Sequence, residues 1–231
     1  MATTATPDGL GDSGGSGDLV QPGRHLDALT ATAAATVGGS LLGVLTNLAQ
    51  GWLPGAWNQI ANSGAVWSAV AFVAGALLAG RGGTVVRSAV GGLGAEAGLV
   101  VGYYGYAEFG RDGMGSLFFP LVWLGMACVA GPLFGVAGYA WRAGKDVRGR
   151  DAWSRVAGLA AFAGLFGMEG VMFARDLHYA PQAWGCFTVF ALVPLLMART
   201  HRERALTLAA AVPFALLAYA IVELPLQMVS A

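Results

Sequence analysis

Residues Thr84–Gly113 read TVVRSAVGGLGAEAGLVVGYYGYAEFGRDG, an apolar, glycine-studded run with one carboxylate, Glu96, near its middle. The run is long enough to cross a hydrocarbon core of about 30 Å as a helix. An ionisable side chain at the centre of such a helix costs about 2.5–3.5 kcal/mol on insertion scales, so it turns to a protein interior and marks a pathway or a site. Tyr103 lies seven residues on, hence on the same helical face, and Tyr104 and Tyr106 follow. The stretch therefore predicts a spanning helix on which an acid looks along aromatic rings.

The rest of the chain agrees with a membrane. Of 231 residues, 56% are hydrophobic and 11% charged, against about 25% charged in soluble domains. Beyond Thr84–Gly113, apolar runs at about Leu26–Gln50, Gly64–Gly80, Ser116–Trp141, Val156–Ala174, Ala183–Ala198 and Ala205–Val229 bring the expected spans to seven. Met1–Gln21 is polar, with no apolar core of a signal peptide. The expected organisation is thus a disordered tail over residues 1–24 and one all-α, seven-helix transmembrane domain over residues 25–231.

Orientation follows from Lys and Arg. Eleven of the thirteen basic residues fall in the N-terminal tail, the Arg81–Arg87 turn, the Arg142–Arg155 loop and the Arg199–Arg204 turn, leaving Arg111 and Arg175 for the other side. With seven spans this bias predicts a multi-pass protein of the cytoplasmic membrane, N-terminus inside and C-terminus outside. No basic face points to nucleic acid. Cys128 and Cys186 sit singly in apolar runs and read as small core residues.

Small-xxx-small spacings at Gly39/Gly43, Gly94/Gly98/Gly102 and Gly131/Gly135 predict close helix contacts. Two LFGxxG segments, Leu133–Gly138 and Leu165–Gly170, read as glycine-rich helices packed on each other, or as the trace of an inverted repeat.

Two further carboxylates belong to apolar spans, Glu169 and Glu223. Glu169 has Phe173 and Asp176 at i+4 and i+7, and Glu223 has Tyr219 at i−4. A carboxyl kept from water stays neutral and either donates a hydrogen bond as packing glue or holds a proton for release. Glu108, Asp112, Arg175 and Asp176 also read as solvated helix ends. The rings of Trp67, Trp123, Trp184, Tyr103 and Tyr104 serve packing or an interfacial belt as readily as a site. The segment NSGAVWSAVA at Asn62–Ala71 looks like the serine segment of rhomboid proteases. His25, His178 and His201 all lie in tails or loops, so none activates Ser63 within the bilayer.

A dry carboxylic acid beside aromatic faces suits protonation of an alkene or epoxide followed by carbocation cyclisation. No DDxxD-type diphosphate site occurs, and no metal or cofactor is expected. In size, span number and sparse intramembrane carboxylates the chain resembles the small integral-membrane terpene cyclases of fungal meroterpenoid and indole-diterpene pathways. Their actinobacterial counterparts acting on prenylated indoles or farnesylated cyclic dipeptides share the likeness, as does the Gly, Ala and Arg richness here. The resemblance is one of architecture over the transmembrane part. It implies a lipophilic prenylated substrate drawn from membrane lipid, and an early Glu acting with a later acid. Glu96, with Glu169 or Glu223, would fill those places, and Tyr103, Tyr104, Trp67, Phe173, Tyr219, Trp123 and Trp184 would line the substrate. A small proton-coupled transporter and a non-catalytic membrane accessory protein are the other readings of the same residues.

Overall fold

The computed structural model describes residues 22–143 and 150–223. The polar tail up to residue 21, the middle of the basic loop and the last residues of the expected seventh span lie outside the described residues. Eight helices follow one another: α1 (Pro22–Trp52), a short α2 (Asn58–Ala61), α3 (Gly64–Gly80), α4 (Val85–Gly110), α5 (Phe118–Ala143), α6 (Arg150–Arg175), α7 (Ala180–Met197) and α8 (His201–Ala218). A π-helical turn, Tyr219–Glu223, closes α8. Among the described residues, seven helical segments are long and apolar enough to cross a membrane, α2 counting with α3. The chain is an all-α, multi-pass membrane protein. The first helix starts at Pro22, inside the span of sequence assigned to the tail.

Local chemistry sets the helix ends. Ser63, Thr84 and Thr200 stand at the N-caps of α3, α4 and α8, and each hydroxyl accepts a backbone N–H three residues on, filling one of the orphan donors of a first turn. At the other end of α3 the Gly83 and Gly82 N–H groups donate back to the Leu78 and Ala79 carbonyls. Gly82 takes φ +74° there, a left-handed value that glycine adopts without a Cβ penalty.

Around α4 pack α1, α3 and α5, whereas α6 gathers α5, α7 and α8. The chain therefore forms two groups of helices joined where α6 meets α5 and α3. Between lipid-solvated helices apolar burial gives no driving force, so close van der Waals approach must hold them. Glycine permits it. A Cβ at Gly39 of α1 would fall 1.9 Å from the Ala95 carbonyl oxygen of α4, and one at Gly102 of α4 2.0 Å from that of Ser40. A Cβ at Gly75 of α3 would lie 1.9 Å from the Gly135 oxygen of α5. Gly75→Ala is accordingly expected to force α3 and α5 apart and destabilise the fold by about 1–3 kcal/mol. Gly125→Ala, where nothing stands within 4 Å, should be neutral or gain about 0.5–1 kcal/mol from helix propensity. Unfolding of the two variants in the same detergent checks the contrast, and equal stabilities would contradict it.

The two glycine-rich helices that carry the LFGxxG segments, α5 and α6, pack on each other, with Phe134 and Phe166 in one cluster and a Cβ at Gly158 falling 2.8 Å from the Ala137 oxygen; the motif glycines face elsewhere. Cβ atoms at Gly135 and Gly138 would strike the Ser88 and Phe72 carbonyls of α4 and α3, while Gly167 and Gly170 face the Phe190 and Phe187 rings of α7. The expected packing of the two helices holds, but the motif glycines do not make it, since each glycine face serves its own helix group.

Among the described residues, the two larger of three apolar clusters fill the interior. One stacks Phe72 on Phe162, centroids 4.4 Å apart, with Phe134 and Phe166 beside them. The other joins Trp67, Leu99, Val100, Tyr103 and Ala127 across α3, α4 and α5. The Arg81, Arg142 and Arg199 turns meet at one end of the bundle, and Arg111, just after α4, and Arg175, the last residue of α6, stand at the opposite end.

Candidate functional site

Glu96 sits in α4 at 5% exposure, turned inward rather than to lipid. Its surroundings are poor in donors. The Ser68 hydroxyl of α3 lies 3.5 Å from Oε1, at the outer limit of a hydrogen bond, and Oε2 has no partner among the described residues. A buried polar atom left unpaired costs about 1–3 kcal/mol and calls for a reason.

Glu169 of α6 is as deeply buried, at 4% exposure, but lies among donors. The Ser63 hydroxyl donates to its Oε2, and the Ala65 N–H donates to Oε1 at 2.9 Å. Both come from the first turn of α3, whose free N–H groups and positive dipole end favour an anionic acceptor. Ser63 thus spans two roles, accepting the Val66 N–H as N-cap and passing its own proton toward the acid.

The two carboxyls, distant in sequence, therefore both bond to α3 between Ser63 and Ser68. Five residues of helix separate these serines, a rise of about 7.5 Å. Between them lies Trp67, 1% exposed, whose Nε1 donates to the Ala61 carbonyl. Its ring packs on Trp123 at 4.9 Å and on Tyr103 at 5.2 Å, and Tyr104 meets Tyr103 edge-on at 5.0 Å. The aromatic cluster adjoins Glu169 through Gly64, where a Cβ would lie 3.5 Å from Glu169 Oε1 and 3.9 Å from the Trp123 ring. Tyr103 shares a helical face with Glu96, as its spacing predicts, but stands two turns away and packs on Trp67. Trp123, Tyr104 and Leu124 are only partly buried and form the outward side of the cluster.

Other expected lining residues do not join this site. Trp184 is 71% exposed and touches Phe187, a placement that suits an interfacial belt rather than a pocket. Phe173 is buried with Ala183 and Cys186, in a cluster of its own. The Tyr219 hydroxyl donates to Asp176 at 3.0 Å on an exposed edge. The Glu223 side chain lies outside the described residues.

Several polar residues emerge only in three dimensions. Asn47 donates to the Tyr103 carbonyl at 3.1 Å, Gln50 accepts the Tyr103 hydroxyl, and Arg111 donates to the Asn47 carbonyl at 2.7 Å. Asn47 and Gln50 continue the Gly39/Gly43 face of α1, so their spacing carried a signal. At the arginine end Arg155, 2% exposed, makes a salt bridge with Glu203, Nη2 to Oε1 at 2.6 Å. Their sequence neighbours made both look like loop charges.

A family model covers residues 22–228, and the chain belongs to that family, a family of unknown function (DUF6518). No curated protein and no solved structure matches the chain.

Proposed function

We propose that the chain is a membrane-bound terpene cyclase, which protonates an alkene or epoxide of a farnesylated or geranylgeranylated acceptor and guides the resulting carbocation through ring closure. One observation carries the reading. Two buried carboxyls in unlike surroundings share α3, and Trp67 stands between their points of attachment. Titratable pairs whose environments differ in this way divide the roles of acid and base.

Glu96, poor in donors and with Oε2 unpaired, is the acid. Its proton adds to an alkene carbon, the π electrons form the new C–H bond, and a cation is left on the neighbouring carbon. A second alkene of the same chain attacks that carbon and closes a ring. Glu169, held by Ser63 and Ala65, stays a carboxylate, stabilises the moving charge and accepts the proton lost when the last alkene forms. A proton enters and a proton leaves, so the substrate is isomerised without oxidant or leaving group. The faces of Trp67, Trp123, Tyr103 and Tyr104 each contribute roughly 0.5–2 kcal/mol of cation–π attraction. Enclosure by helices keeps water from quenching the cation. The substrate enters from lipid past Trp123, Tyr104 and Leu124, whose partial exposure supports that route.

A proton-coupled carrier is the second reading, favoured by the same two acids of α4 and α6, which bond to successive points of α3. The two are told apart by incubating the purified protein, in detergent and without added metal, with farnesylated and geranylgeranylated acceptors. Cyclisation predicts a new product of unchanged mass. Unconverted substrate, together with substrate-dependent proton flux in liposomes, would replace the cyclase with the carrier.

A further inference from the structure

At the arginine end two clefts share a wall. The larger, about 610 Å³, is lined mainly by Phe72, Val73, Leu77, Trp141, Phe162 and Met197; the smaller, about 360 Å³, by Gly80, Gly82, Arg142 and Arg199 among others. Gly80 and Arg142 belong to both, so the apolar cleft opens directly on a basic mouth. Both volumes fall in the range of ligand clefts, about 300–1,000 Å³. Arg81, which also borders the larger cleft, is exposed, as are Arg142 and Arg199.

The walls are built rather than loose. Phe72 stacks on Phe162, Trp141 leans on Phe72 at 5.8 Å, and the Trp141 Nε1 donates to the Met197 carbonyl at 3.1 Å. Gly80 leaves room for the Arg142 side chain, whose Nε lies 3.3 Å from where a Cβ would stand. Glu203, the acid of α8, accepts from Arg155 and from the Arg199 backbone N–H, so its charge is met within the protein. On the lipid side Val73 and Leu77 are more than half exposed, leaving the cleft open along α3.

We propose that this cleft is a binding site for an anionic phospholipid of the surrounding bilayer. The phosphate sits among Arg81, Arg142 and Arg199, and an acyl chain lies along Val73, Leu77, Phe162 and Met197. Charge complementarity selects the headgroup: guanidinium groups pair with phosphate oxygens in a fork, and a basic pocket between spanning helices holds an anionic headgroup. The apolar arm selects a lipid over a free anion. The site is separate from Glu96, Glu169 and the aromatic cluster, and stands whether or not the cyclase reading does.

The test uses the full chain in lipid nanodiscs and in neutral detergent, titrated with phosphatidylglycerol, phosphatidylcholine or inorganic phosphate, with bound lipid read by native mass spectrometry and stability by thermal unfolding. Phosphatidylglycerol should bind and stabilise, with phosphatidylcholine and phosphate far weaker. Arg142→Gln and Arg81→Gln, both at exposed positions, should each weaken phosphatidylglycerol about fivefold. Val73→Trp should block the apolar arm and weaken it with the arginines intact. Equal binding of the two phospholipids, unchanged affinity in all three variants, or equal stabilisation by phosphate alone would overturn the proposal.

Discussion

Glu96→Gln is expected to lower product formation by about 10²–10⁴-fold, the usual contribution of a positioned general acid, while unfolding in detergent shifts little. Glutamine has nearly the shape of glutamic acid and still offers an oxygen to Ser68, so the contacts seen at Oε1 survive. What it lacks is a proton to give. The contrast separates chemistry from packing, because an acid serving only as a hydrogen-bonding wedge between α3 and α4 would leave turnover unchanged in this variant. Product analysis alongside thermal unfolding of the same preparation reads both. Unchanged turnover would remove Glu96 from the acid's place.

Glu203→Ala should instead strike the fold. Removing one partner of a buried ion pair strands the other, at a cost of about 3–5 kcal/mol. Arg155 would be the stranded charge, 2% exposed on α6. Glu203 also accepts the Arg199 N–H at 2.8 Å, and its own N–H is held by the Thr200 cap, so the start of α8 loosens as well. Replacing both members of the pair by apolar residues of similar volume, Arg155→Met with Glu203→Leu, is expected to restore most of the loss, since the pair's own desolvation largely offsets its attraction. Unfolding of the single and double variants checks this, and a single-variant loss under about 1 kcal/mol would mean that water reaches the pair.

The seven spans could be read from the chain because each apolar run is bounded by charges or turn residues, and because a bilayer requires a minimum length. The second was located residue for residue, between the Ser63 cap and the Gly82 turn. Lateral arrangement was harder. Spacing shows that Gly135 and Gly138 share a face, but not that the face meets α3 and α4 rather than α6. Glu96 was identifiable as a costly buried acid from its position alone. Its lack of a second partner, and the donors gathered around Glu169, depend on which helix lies alongside, and no local pattern encodes that. Arg155 and Glu203 misled for a related reason. Charges just beyond an apolar run look solvated until the neighbouring helix end closes over them.

The orientation rests on the same charges. The bias of Lys and Arg toward the Arg81, Arg142 and Arg199 end is the ground for expecting that end on the cytoplasmic side. In the proposed reaction Glu169 of α6, bonded to the first turn of α3, would then be nearer the opposite surface.

Proton delivery from Glu96 is most directly tested by running the reaction in D₂O. Exchange of the acid with solvent would place a deuteron on the carbon that is protonated, so the cyclised product should carry one non-exchangeable deuterium and gain a single mass unit. The same incubation with Glu96→Gln should yield no labelled product. A cyclised product without deuterium, or equal labelling by wild type and variant, would contradict the account.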